Sequence, residues 1–261
     1  MTERTRRNLR LVAGLVIPHT LVVLVQRYRA RHRAAAVLTR HAPPREGSRP
    51  FDYEAAVALL AGHGLDEDVV RLGSITDRSM RFLAEQVAAH APAGPVRSLH
   101  VGNFVGVSLA ALADTLATHH PDSLVVSVDP NLTHLGVDHP QDHVLALLTE
   151  FGLQHRTVVI SGYTLEGSAN KAAGEDTLGN LANLGARFGL ALIDGNHDAD
   201  YLRRELDVLV RMLDEGALLV LDDVSYAYPG VMELFDELGE DDAWPLAEVA
   251  RDDRLGVLRK R

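Results

Sequence analysis

The sequence predicts an α/β protein: a doubly wound, mostly parallel seven-stranded sheet that closes in an antiparallel hairpin and is preceded by a helical extension. Three observations carry this. From Val96 onward, short continuous apolar runs alternate with amphipathic stretches, the pattern of parallel strands covered by helices on both faces. The segment Gly102-Asn103-Phe104-Val105-Gly106-Val107-Ser108 joins the first such run to a helical stretch. Asp194 and the pair Asp222-Asp223 close two later runs, at the strand ends where open α/β sheets bind ligands. A length of 261 residues suits one such domain with an added arm.

In chain order, residues 1–50 are a basic and apolar arm. It closes in His41-Ala-Pro-Pro-Arg-Glu-Gly-Ser-Arg-Pro50, a linker because paired prolines and Gly-Ser stop helices. Residues 51–90 read as a helical cap. Ala55, Ala56, Leu59 and Leu60 recur at helical spacing, as do Met80, Leu83, Val87 and Ala88, and Ser74 or Thr76 stands in place to cap the second helix. Residues 91–261 hold the sheet. Strands are expected at Val96–Val101, Leu124–Val128, Thr157–Ile160, Leu190–Ile193 and Ala217–Leu221. Helices are expected at Ser108–Thr118, His143–Phe151, Leu178–Phe188, Tyr201–Leu213 and Pro229–Leu238. Leu246–Ala250 and Leu255–Arg259, joined by Arg251-Asp-Asp-Arg254, form the hairpin.

The absence of cysteine excludes disulfides, thiolate zinc sites and cysteine nucleophiles, and the 13 histidines are scattered without an HExxH pair. The net charge of −10 conceals an asymmetry: eleven arginines against Glu3 and Glu46 give residues 1–50 about +9, leaving the body about −19. An acidic body argues against an extended nucleic-acid face, so no nucleic-acid partner is expected. Leu11 to Val25 is a mostly apolar run of 15 residues, as a helix roughly 22 Å long and short of a bilayer's hydrocarbon core. Arg27, Arg29, Arg31 and Arg33 follow it, which disfavours a signal peptide. The expected location is the cytoplasm. Peripheral membrane contact through residues 1–33 is one use of the arm, and packing on the body or in a homodimer is another.

Gly102 and Gly106 flank a strand-to-helix loop, where glycine permits positive φ and close approach of a ligand to the backbone; a plain turn is the alternative. About 20 residues on, Ser127-Val128-Asp129-Pro130-Asn131 ends the second strand with a carboxylate able to accept both ribose hydroxyl protons. The spacing GxxxG differs from the dinucleotide GxGxxG, which favours S-adenosylmethionine over a nicotinamide cofactor. Asp194-Gly195-Asn196-His197 and Asp222-Asp223 offer hard oxygen ligands suited to Mg²⁺, Ca²⁺ or Mn²⁺, unless each aspartate only caps a helix. His197 can titrate near neutral pH and serve as general base; a solvent-facing cap is its other reading.

Together Val101–Ser108, Val128-Asp129, Ile193-Asp-Gly-Asn-His197 and Leu221-Asp-Asp-Val224 resemble the class I S-adenosylmethionine-dependent methyltransferases, and most of all the small-molecule O-methyltransferases with an IDGxH segment. The likeness spans about residues 74–261. It implies a Rossmann-like fold in which Gly102, Asn103, Phe104, Gly106 and Ser108 line the methionine part of the cofactor. Asp129 would bind the ribose, and Gly162-Tyr163 would border the adenine. In catechol-type members the metal is held by an Asp after the fourth strand and an Asp-Asn pair after the fifth. Asp194, Asp222 and Asp223 match those places, with Asp223 where Asn is usual. His197 falls where those enzymes carry their catalytic lysine, so Asp194 and His197 are the expected catalytic pair. The expectation is methyl transfer to a hydroxyl of a small molecule, a sugar, polyketide or similar, assisted by a divalent metal such as Mg²⁺. The alternative is a non-catalytic scaffold of the same fold, docked to a membrane or partner through its basic arm.

Overall fold

The computed structural model describes residues 49–166 and 176–261. The expected membrane or dimer contact of residues 1–33 lies outside the described residues, as does nearly all of the arm. Among the described residues no helix is long and apolar enough to cross a membrane.

The cap contains three helices where the spacing predicts two. α1 (Tyr53–Gly62) starts at Asp52, whose carboxylate accepts from the Ala55 amide at 2.7 Å. α2 (Glu67–Leu72) is capped by Asp66 and spans under two turns, too short to leave a readable period. α3 (Asp77–His90) is capped by Thr76, whose hydroxyl accepts from the Ser79 amide at 3.2 Å.

The sheet follows: β1 (Arg97–Val101), β2 (Leu124–Asp129), β3 (Thr157–Ser161), β4 (Phe188–Ile193), β5 (Leu213–Leu221), β6 (Leu246–Arg251) and β7 (Gly256–Lys260). They form one sheet in the order β3-β2-β1-β4-β5-β7-β6. All neighbours are parallel except those of β7, which is inserted between β5 and β6 and runs against both. The expected seven-stranded sheet with its antiparallel hairpin is therefore the fold observed. The connecting helices are α4 (Val107–His119), α5 (Pro140–Glu150), α6 (Thr177–Asn183), α7 (Ala199–Leu209) and α8 (Pro229–Glu240).

Strand residues alternate between two cores. Leu190, Leu192, Leu218 and Val220 join α1, α3, α4 and α5 on one face, whereas Ala191, Ile193, Leu219 and Leu221 join α6, α7 and α8 on the other. Among the boundaries that differ from the sequence expectation, three have a clear local cause. α5 begins at Pro140, since proline in a first turn forgoes an amide that has no helical partner anyway. α6 stops at Asn183 and Gly185, at φ 77°, turns the chain, so Phe188 opens β4 instead of closing a helix. β5 starts at Leu213 because the register jumps from Phe188↔Leu213 to Leu190↔Leu218 around a bulge that contains Gly216 at φ 76°.

Strand order reverses between β1 and β4: β1 continues to β2 and β3, β4 to β5. Such a reversal opens a crevice beyond the carboxyl ends of those strands, and the Gly102 loop and Asp194 both lie there.

Candidate active site

The loop after β1 is pressed against the end of β4. Gly102 has φ 87°, and a Cβ there would lie 1.9 Å from the carbonyl oxygen of Asp194, so no side chain fits. Gly106, at φ 95°, begins α4, where a Cβ would stand 2.9 Å from the Val144 Cα of α5. Between them Phe104 occupies the left-handed region at φ 44°, uncommon outside glycine. At the end of β2 the Asp129 carboxylate accepts from the Asn103 amide at 2.6 Å and from the Asn131 amide. Burial pushes the Asp129 carboxyl upward, against the opposing pull of these amides.

Beneath the loop runs a buried polar chain. His100 faces Ser108 at 3.2 Å, Ser127 donates to the Asn103 side-chain oxygen, and Asn103 leaves its amide nitrogen without a partner among the described residues. Burial drives His100 down to about 3, so its ring is neutral and tunes hydrogen bonds only.

The acidic cluster is arranged around cationic side chains. Arg254, from the turn between β6 and β7, donates Nε and Nη2 to the two oxygens of Asp222, each at 2.6 Å. Its Nη2 also lies 3.6 Å from Asp223 Oδ1, and its Nη1 donates to the Ser74 carbonyl at 3.2 Å. His197 Nε2 sits 2.7 Å from Asp223 Oδ2, and the Tyr228 ring meets the imidazole edge-on at 4.3 Å between centroids. The hydrogen bond to Asp223 raises His197 above the usual histidine range, outweighing burial. Desolvation, then the charge of Asp222 and the hydrogen bond shared with it, raises Asp194 well above the usual carboxylate range. Asp223 holds φ 59°, a strained conformation for a residue with a side chain.

These groups meet in one cavity of about 940 Å³, at the upper end of ligand-pocket sizes. Of the residues expected to bind cofactor, Gly102, Phe104, Asp129 and Tyr163 line it, together with Asp194, His197 and Asp223. Asn103, Gly106, Ser108 and Gly162 stand behind the wall. Asn103 is 2% exposed, Ser108 faces His100, Gly106 seats α4 on α5, and the Gly162 amide ties β3 to the Asp129 carbonyl at 2.9 Å. Tyr228 lines the cavity, Tyr226 is 91% exposed, and Trp244 packs on the second core.

Two sets of wall residues were missed. Arg254 read only as turn sequence, and nothing local marks it as a partner of Asp222. Thr164, Tyr201 and Glu205 form a buried group in which Thr164 donates to Glu205 and lies 2.8 Å from the Tyr201 hydroxyl. A glutamate on the inner face of α7, among leucines, was the available signal.

The pocket fits S-adenosylmethionine: a loop closed to any Cβ at Gly102 and a carboxylate at Asp129, both in its wall. The acidic trio does not fit a divalent metal in this arrangement. Both oxygens of Asp222 are engaged by Arg254 and one oxygen of Asp223 by His197. Among the described residues no group of three His, Asp or Glu converges as a metal donor set.

Strand order, the Gly102 loop and the carboxylate at the end of β2 form the arrangement that the sequence resemblance to class I methyltransferases implies. A family model described as a methyltransferase domain matches residues 99–224, the stretch from β1 to the Asp222-Asp223 loop. No curated protein matches the chain. Among solved structures, it resembles cofactor-bound Rv0187 from MTB at 21% identity, covering 80% of this chain and 88% of that one with a TM-score of 0.57. It resembles the O-methyltransferase from Bacillus cereus in complex with SAH at 15% identity, covering 81% and 92% with a TM-score of 0.59. MycE, a methyltransferase of the mycinamycin biosynthetic pathway solved with Mg, SAH and mycinamycin VI, matches at 15% identity, over 82% of this chain and 56% of that one, with a TM-score of 0.51. At these identities the likeness is one of fold.

Proposed function

We propose that this chain methylates a hydroxyl oxygen of a small molecule, a sugar, polyketide or similar, with S-adenosylmethionine as donor and His197 as general base. The observation that carries the reading is the His197–Asp223 pair in the wall of the cavity that also holds the Gly102 loop and Asp129. When bound, S-adenosylmethionine supplies a methyl group whose bond to the sulfonium sulfur breaks as the bond to the acceptor oxygen forms.

The protein's part is alignment and proton removal. With Nε2–H donated to Asp223, the other ring nitrogen of His197 carries the lone pair that takes the acceptor's hydroxyl proton. Asp223 fixes the ring and stabilises the imidazolium that results. Alignment supplies the rest: a cavity that holds donor and acceptor together replaces a bimolecular encounter with a near-unimolecular step. MycE was solved with mycinamycin VI, which supports a small-molecule acceptor. No step here passes through a metal, because Arg254 engages the carboxylates that would hold one.

Two further expectations belong to this reading. The 51–90 cap is a wall of the acceptor side, since Leu72 and Gly73 line the cavity. The arm is an address tag that turnover does not need. The reading is tested by His197→Gln: turnover of a screened hydroxylated acceptor falls about 10²- to 10⁴-fold while S-adenosylhomocysteine affinity holds. Undiminished turnover in that variant removes His197 from the chemistry. The non-catalytic scaffold has less support, because it leaves a strained Asp223 holding a cavity histidine without a purpose.

A further inference from the structure

Three carboxylates at the ends of two neighbouring strands need positive charge nearby, and the fold supplies it from a distant part of the chain. Arg254 lies in the β6–β7 turn, more than 30 residues beyond Asp222, and its position is fixed from several directions. Its backbone amide donates to the Asp252 carboxylate at 2.8 Å, and its carbonyl accepts from the Val224 amide, one residue past Asp223, at 2.8 Å. Its side chain grips both oxygens of Asp222 and reaches the Ser74 carbonyl at the entrance to α3. The paired fork on Asp222 is the strong, directional form of an arginine–carboxylate contact. Asp222 is buried, its side chain 1% exposed, so the carboxylate end of this pair is shielded from solvent.

The charge inventory points the same way. Asp222 and Asp223 face Arg254 and His197, and Asp194 shares a hydrogen bond with Asp222. A divalent ion would need several of these oxygens at roughly 2.0–2.6 Å, and would first have to displace a guanidinium held by side chain and backbone alike.

We propose that Arg254 is the resident cation of this site: it takes the place of a divalent metal among Asp194, Asp222 and Asp223, and methyl transfer by this chain, the reading on which this rests, runs without a metal. Arg254 is then a positioning residue. It holds the Asp222-Asp223 loop, and Asp223 in turn orients His197. A lysine at 254 keeps the charge and loses the fork; a methionine keeps the bulk and loses the charge.

The test uses the full chain, stripped of metal, titrated with Mn²⁺ and followed by paramagnetic resonance, with S-adenosylhomocysteine binding measured calorimetrically on the same samples. Wild type is expected to show no saturable Mn²⁺ site and the same S-adenosylhomocysteine affinity in chelator as in Mn²⁺. Arg254→Met is expected to gain one site, at least ~10-fold tighter than any wild-type binding, that Asp222→Asn added to it abolishes. Arg254→Lys is expected to gain none. A one-to-one wild-type Mn²⁺ site lost in Asp222→Asn overturns the proposal, and so does a folded Arg254→Met that gains no site. Should Arg254→Met fail to fold, wild type, Arg254→Lys and Asp222→Asn still decide. Absent S-adenosylhomocysteine binding counts against the methyltransferase reading alone, because the Mn²⁺ result stands apart from it.

Discussion

Asp223 is held in the left-handed region, and from there its carboxylate reaches His197. That contact raises the imidazole above the usual histidine range, and a base must be neutral to take a proton. Turnover should therefore climb with pH through the raised value. In Asp223→Asn the limb of the kcat/KM–pH profile moves to lower pH and the plateau falls about 10²-fold or more; an unmoved limb removes Asp223 from the pairing. Glu205 offers a test of stability. Burial lifts it from 4.5 to about 7, so the folded chain binds that proton more tightly than the unfolded one. Its contribution is fully present below 4.5 and is lost as pH rises through 7, over a span of roughly 3 kcal/mol. Glu205→Gln should raise Tm at about pH 8 and change it little at about pH 5, as read by thermal unfolding; an equal change at both would refute the assignment. Gly102→Ala puts a methyl group onto the Asp194 carbonyl and should cost about 2–4 kcal/mol in denaturant unfolding, with S-adenosylhomocysteine binding lost.

The elements divide by how far their signals reach along the chain. β1, β2 and the Gly102 loop were legible because continuous apolar runs and a glycine pair are local statements. Strand ends carrying Asp129, Asp194 and Asp222-Asp223 were legible for the same reason. α2 was not, since six residues hold no period, and the start of β5 was hidden by a bulge that hydropathy cannot show. The β6–β7 turn was found as a hairpin, yet its function was invisible: Arg254 acts through partners at Ser74 and Asp222, which only the sheet order brings together. Thus the carboxylates could be read as a metal set, while the cation that satisfies them could not be seen. Ser108 and Asn103 show the same limit. A motif names neighbours in sequence, and the helix turn decides which of them face the cavity and which support its floor.

For the molecule as a whole, the reversal of strand order between β1 and β4 puts the Gly102 loop, Asp129, the His197–Asp223 pair and Arg254 around one cavity. The cap contributes Leu72 and Gly73 to that wall and Ser74 to the seat of Arg254, so cap and sheet build the site jointly. The acidic body of about −19 suits a neutral or cationic acceptor better than a phosphorylated one. The central claim is that this cavity is a working S-adenosylmethionine site. Its most direct test is a calorimetric titration of the full chain with S-adenosylhomocysteine, once in chelator and once with Mg²⁺. The account predicts one-to-one micromolar binding of equal strength in both. Heat in neither condition would contradict the cofactor site itself, and binding that needs Mg²⁺ would contradict the place given to Arg254.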